Sequence, residues 1–243
     1  MSKRKHDYTF VGRYQLLDRT SRAPGVAWPI QDVFSHFGSE LSHVLSMGCS
    51  VGINEVILAI QNPSTQITCI DIDEGAIAQA QTGVWRLDDI RPSGFSIPSD
   101  NKTLTSLCAR FCPLDYFALD FRANVLQLLR PVTNITFRVQ DATQTSYVDS
   151  SFDLVMMHML AGKICYPHSP SYVQLGKETE RLLRPQGFFW NQEGLFKVTL
   201  VSPDVSPYRR VLHNKDASTL EDAFTPRESL FPGPLNTMHF ALP

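Results

Sequence analysis

The chain has 243 residues, 43% of them hydrophobic and 19% charged, with 22 Lys and Arg against 24 Asp and Glu for a formal charge of −2. That length suits one large α/β domain better than two, and the hydrophobic share supports a sizeable core and excludes wholesale disorder. No general attraction to a phosphate backbone follows from so slight a charge, so no nucleic-acid partner is expected; no membrane partner is expected either, because no apolar run reaches the ~20 residues of a span.

Residues 1–38 mix aromatics with Pro24, Gly25 and Pro29 and read as a helical or irregular segment laid over a domain of residues 39–243. The basic start, Met1 to His6, leads into no apolar stretch of a secretory signal. From residue 43 the pattern alternates. His43–Met47 is a short apolar strand running into a glycine-rich turn, and Asn54–Ile60 is a helix with Val56, Ile57 and Ile60 on one face. Ile67–Ile70 is a buried type of strand ending at Asp71, followed by an Ala-rich helix over Gly75–Gln81.

Residues 83–134 are too many for a plain connection, and a helical insert is expected there. Ile135–Val139 and Phe152–Met157 are further strands. Tyr172–Leu183 is an amphipathic helix stopped by Pro185 and Gly187, before a strand at Phe188–Trp190. Phe196–Val201 and Thr237–Leu242 complete the set. Such alternation predicts a mostly parallel sheet with helices on both faces.

In an open parallel sheet, ligands sit beyond the carboxyl ends of the strands, near the point where strand order reverses. Three segments bring suitable residues there. In Gly48-Cys49-Ser50-Val51-Gly52 the glycines allow a tight turn and a close approach to a ligand. The same string fits a nucleophile elbow with Ser50 attacking, served by Asp153 or Asp204 and by His213 or His239. Asp71 favours the first alternative. It follows Gly52 at the ~20-residue interval at which a carboxylate accepts ribose hydroxyls, while Asp73 caps the next helix. Asp141, after the strand ending at Val139, is placed to accept from the exocyclic amine of adenine. Together the three outline an adenosine site.

Gly48–Gly52, the Cys69–Asp73 strand end, Asp141 and Phe152-Asp153-Leu154-Val155 resemble the successive motifs of class I S-adenosylmethionine-dependent methyltransferases. A narrower resemblance is to the chemotaxis-receptor (CheR-type) glutamate O-methyltransferases. It rests on Ala80–Trp85, Leu114–Phe117, Leu182–Gly187 and Glu193. The chain departs from that narrower pattern at Ile53–Val56 and at Met157–Lys163, and only about forty residues precede its core.

The resemblance implies an α/β, Rossmann-like class I methyltransferase fold with S-adenosylmethionine as cofactor and S-adenosylhomocysteine as product. It also implies cofactor contacts from Met47, Gly48, Cys49, Ser50 and Gly52, from Asp71 and Ile72, from Asp141 and Ala142, and from Met157. Arg22 corresponds to an arginine that faces the cofactor in the narrower family. The acceptor is expected to be a small molecule or a protein carboxylate.

His158 stands just past a strand end, where cofactor and acceptor meet, as a group to position the acceptor or remove a proton; Lys163 is placed to hold an acidic acceptor. Tyr166, His168 and Tyr172 form a polar-aromatic cluster beside them. Arg181 and Arg184 sit at a helix C-terminus, where cations suit the dipole, and carry no expected function. The cysteines Cys49, Cys69, Cys108, Cys112 and Cys165 are an odd set that suits a reducing compartment, with the cytoplasm as the expected location. Cys108 and Cys112 are spaced like zinc ligands, but no second pair stands to close a tetrahedron, so no metal is expected.

Overall fold

Apolar runs bounded by turn residues set the central strands. β1 (His43–Met47), β2 (Gln66–Asp71), β6 (Ile135–Val139) and β7 (Phe152–His158) are mutually parallel. The computed structural model describes residues 34, 39–90, 102, 105, 108–109, 112–113, 115–158, 160, 170–192, 198–202 and 209–210. Within them β8 (Leu183–Gln192) adds a further parallel strand beside β7, and β9 (Val198–Ser202) and β10 (Arg209–Arg210) pair antiparallel beyond it. The seven strands run β10-β9-β8-β7-β1-β2-β6. Order therefore reverses between β1 and β7, and the mostly parallel α/β sheet expected from the sequence is observed.

Alternation along each strand sends side chains to two faces, and both faces are covered. Val44, Cys69, Leu154 and Met156 pack with Leu58 and Ala59 of helix α1 (Ile53–Gln61) and Ile77 of α2 (Glu74–Thr82). On the other face Leu45, Met47, Ile70, Val155 and Met157 pack with Leu175 and Leu182 of α4 (Pro170–Leu182). Asp73 caps α2 as expected, its side chain accepting from the N–H groups of Gly75 and Ala76. Helix α4 begins on Pro170, a residue preorganised for the first helical position and lacking the N–H that would go unpaired there.

Arg181 and Arg184 turn out to be structural ties. Arg181 bonds Glu178, Asp149 and the Tyr147 carbonyl, fastening α4 to the segment after β6. Arg184 meets Asp153 at 2.7 Å.

The insert departs from expectation. Its described residues include a short helix, α3 (Leu87–Ile90), but also β3 (Val84–Arg86), β4 (Phe117–Asp120) and β5 (Val125–Leu128), which form an antiparallel sheet in the order β3-β5-β4. Among its described residues the insert is mixed, with these strands beside helical residues at 87–90, 102, 105 and 108–109. Its apolar side covers α1: Trp85, Phe117 and Leu126 share a cluster with Ile53, Val56 and Ile57. Helix α1 is thus clamped between sheet and insert, which is why Ile53 to Ala59 are all buried. The expected strand at Thr237–Leu242 and the segment 1–38, except for Phe34, lie outside the described residues.

Candidate functional site

The carboxyl ends of β1, β2 and β7 meet where the sheet order reverses. Met47 is in register with Ile70 on one side and Met157 on the other. Asp71 and His158 are each one residue farther along their strands, and the Gly48–Gly52 turn leaves β1 between them. The sequence-predicted residues Met47, Gly48, Cys49, Ser50, Gly52, Asp71, Ile72 and Met157 are therefore brought together at one edge of the sheet.

The turn is wound by left-handed backbone at alternate positions, with φ of 74° at Gly48, 52° at Ser50 and 68° at Gly52. Gly48 N–H and Cys49 N–H both donate to the Ile70 carbonyl, and Gly52 N–H donates to that of Cys49. Ser50 N–H donates to Asp71 Oδ2 at 2.7 Å, while Asp71 Oδ1 accepts from Asp73 N–H at 2.9 Å. The carboxylate of β2 is thus the anchor of the turn from β1. Burial raises the Asp71 pKa from its ordinary value, and the backbone N–H groups of Asp73 and Ser50 oppose the rise. Each oxygen spends one of its two lone pairs on the backbone, so the pair retains acceptor capacity for two vicinal hydroxyls.

The glycines also make room for protein side chains. A Cβ on Gly52 would stand 2.3 Å from Phe137 Cε1, and one on Gly48 would stand 2.8 Å from Leu160 Cδ1. Leu160 brings the chain after β7 back over the turn, a feature not anticipated from the sequence.

At the β2–β6 edge, Asp71 is in register with Val139. Ile72 and Val139 are 42% and 45% exposed, an apolar pair left open at adjacent strand ends. Asp141 follows them. Its Oδ1 accepts from both the N–H and the hydroxyl of Thr143, and Ala142 is buried behind it. Exposed apolar side chains at these strand ends and a carboxylate just past one of them are groups suited to a flat ring bearing an amine.

Ser50 Oγ is buried and has no hydrogen-bond partner among the described residues. A nucleophile elbow exposes its hydroxyl, so Ser50 does not have that arrangement. Asp153, one expected acid for it, lies at the opposite end of the sheet. There it accepts from Ser42 N–H and His43 N–H and pairs with Arg184, which removes it as a partner. Asp204, His213, His239, Glu193, Arg22, Lys163, Cys165, Tyr166 and His168 lie outside the described residues. No three of the described His, Cys, Asp and Glu residues converge as a metal site, and none of the described helices is long and apolar enough to cross a membrane.

Close to Asp71 lies a buried carboxyl that no motif singles out. Glu55 of α1 is 2% exposed and accepts from Ser46 Oγ at 2.8 Å. Burial pushes its carboxyl from 4.5 up to about 7, against the Ser46 hydrogen bond and with help from the nearby Asp71 charge. Folding therefore takes up a proton between those two values. The stability this group contributes is present below pH 4.5, falls as pH rises through that window and levels off above about 7. The Glu55→Gln variant keeps an acceptor for Ser46 but does not titrate. Urea unfolding from pH 5 to 8 is expected to show it gaining on the native protein by roughly 2 kcal/mol; parallel pH profiles would refute this.

Residues 101–191 match the family described as "Methyltransferase domain". The match covers less than half of the chain and runs from the insert through β6, Asp141, β7 and α4 into β8, so the glycine turn and Asp71 precede it. No curated protein matches the sequence. Among solved structures, a SAM-dependent methyltransferase from Methanosarcina mazei is 21% identical with a TM-score of 0.42, over 65% of this chain and 55% of that one. A putative sarcosine dimethylglycine methyltransferase from Galdieria sulphuraria is 14% identical with a TM-score of 0.40, over 68% and 44%. PKMT2 from Rickettsia typhi, in complex with AdoHcy, is 15% identical with a TM-score of 0.38, over 63% and 21%. The chain spans about half or less of the length of these structures. The five parallel strands β8-β7-β1-β2-β6, with helices on both faces, a glycine turn after β1 and an acidic end of β2 at the reversal, make a Rossmann-like α/β fold.

Proposed function

We propose that this chain is an S-adenosylmethionine-dependent methyltransferase acting on a small molecule or a carboxylate. The observation that carries this is Asp71, fixed at the end of β2 against the Gly48–Gly52 turn with acceptor capacity to spare. Asp71 would receive the ribose hydroxyls, Ile72 and Val139 would cover the adenine ring, and Asp141 would accept from its amine. When bound, the cofactor supplies a methyl group already activated on a sulfonium. The chain's own task is then placement of the acceptor and exclusion of water.

Met47 and Met157, both fully buried, close the sheet side of the site with apolar side chains. His158, one residue beyond Met157 on β7, stands at the acceptor end, where it would orient the acceptor or take its proton. A carboxylate acceptor requires no base, and a phenol or amine does.

Incubation with S-adenosylmethionine carrying a radiolabelled methyl group, over a panel of carboxylate, amine and phenol acceptors, tests the activity. Label transferred to one class, with S-adenosylhomocysteine released, is the expected result. Cofactor binding without transfer to any acceptor would make the chain a cofactor-binding module. Labelling of Ser50 by a fluorophosphonate would replace the proposal with a hydrolase.

A further inference from the structure

We infer that Trp85 is a positioning residue: its indole holds the cofactor turn in shape, so the packing of the insert sets the affinity for the cofactor. This rests on the reading of the Gly48–Gly52 turn as the S-adenosylmethionine site. Trp85 belongs to β3 of the insert, yet its Nε1–H donates to the carbonyl of Val51, in the middle of the turn, at 2.6 Å. The side chain is 0% exposed.

The Val51–Gly52 peptide is thereby pinned at both ends. Its carbonyl meets the indole, and its N–H, that of Gly52, meets the Cys49 carbonyl. On either side stand Ser50 and Gly52 in left-handed conformations, so rotation of this peptide plane would be the easiest way for the turn to change form. The neighbouring Ser50 N–H is the one that anchors Asp71. Trp85 therefore holds the turn from the insert side while Ile70 and Asp71 hold it from β2.

Packing alone does not call for an indole here. Trp85 lies among Val56 and Ile57 of α1 and Phe117 and Leu126 of the insert, its ring centroid 6.0 Å from that of Phe117. A phenyl ring would serve most of those contacts. What the indole adds is a donor, and a buried carbonyl deprived of its donor costs far more than an average hydrogen bond contributes. Without it the Val51 carbonyl has reason to swing toward another partner, which loosens the turn in which Ser50 N–H meets Asp71. Coupling of this kind is reciprocal, so the cofactor must also act on the indole.

The full chain with Trp85→Phe is compared with Ile90→Val, a buried insert variant that keeps the indole. Affinity for S-adenosylhomocysteine is measured by calorimetry well below both melting temperatures, and amide hydrogen exchange is followed at residues 48–52 and in β7 and β8. Trp85→Phe is expected to weaken binding about tenfold and to speed exchange in the turn but not in β7 and β8. Ile90→Val is expected to lower the melting temperature without changing affinity. Native affinity and native turn exchange in Trp85→Phe would overturn the inference, as would losses of affinity that simply follow melting temperature in both variants.

Should Trp85→Phe not fold, the native protein decides. The Trp85 indole N–H resonance is expected to shift on adding S-adenosylhomocysteine, and an unmoved resonance at saturation would overturn the coupling. A native chain that binds no S-adenosylhomocysteine would instead refute the methyltransferase proposal. Exchange at residues 48–52 would then still test whether Trp85 holds the turn.

Discussion

Replacing Asp71 with alanine is expected to weaken S-adenosylhomocysteine binding at least a hundredfold while leaving the sheet folded. A hydrogen bond to a charged group contributes roughly 1.5–3 kcal/mol, and the proposal assigns two of them, from the ribose hydroxyls, to this carboxylate. Their joint loss corresponds to a factor of about a hundred or more. The substitution also leaves Ser50 N–H and Asp73 N–H without their acceptor, so the turn loosens as well. Asp71→Asn separates the two effects. Its amide oxygen still accepts from one backbone N–H, and its affinity should fall between those of the native protein and the alanine variant. Calorimetry reads affinity, and circular dichroism checks the fold. A folded Asp71→Ala variant with native affinity would contradict the assignment.

The second large effect is on stability. Gly52→Ala places a Cβ 2.3 Å from Phe137 Cε1 and 2.8 Å from Phe137 Cζ, at a backbone φ of 68°. A non-glycine residue in left-handed backbone costs roughly 1–2 kcal/mol, and overpacking a filled core adds about 1–3 kcal/mol. For a chain of this size each kcal/mol lowers the melting temperature by about 2–4 °C, so a fall of roughly 10 °C is expected. Adding Phe137→Leu should recover the steric part and leave the backbone part. A single variant melting within about 2 °C of the native protein would show that the turn relaxes freely, against the packing described.

Much of the sheet was legible because its signals are local. β1 and β6 are apolar runs closed by turn residues, and the structure begins and ends them at the residues the pattern picks out. Asp71 and Asp73 were separable because the last residue of a strand and the cap of the next helix make different demands on a carboxylate. The strands of the insert were not legible. Val84–Arg86 has three residues, and Phe117–Asp120 and Val125–Leu128 have four each, too few for periodicity to tell strand from helix.

What remained hidden depends on contacts between distant segments. Glu55 is an acidic position of a helix, and only the packing of α1 on the sheet, against Ser46 and near Asp71, makes it a buried, titrating one. The glycines announce a tight turn, but nothing in the string says that Phe137 and Leu160 are what they make room for. Likewise Trp85 reads as an apolar residue of an insert, while its bond to Val51 spans 34 positions.

If the Gly48–Gly52 turn and Asp71 form an adenosine site, titration calorimetry of the native chain with S-adenosylhomocysteine will reveal it. Saturable binding at one site per chain is expected, with a melting temperature that rises as the ligand is added. A folded native protein that gives neither heat nor stabilisation at millimolar ligand would contradict it.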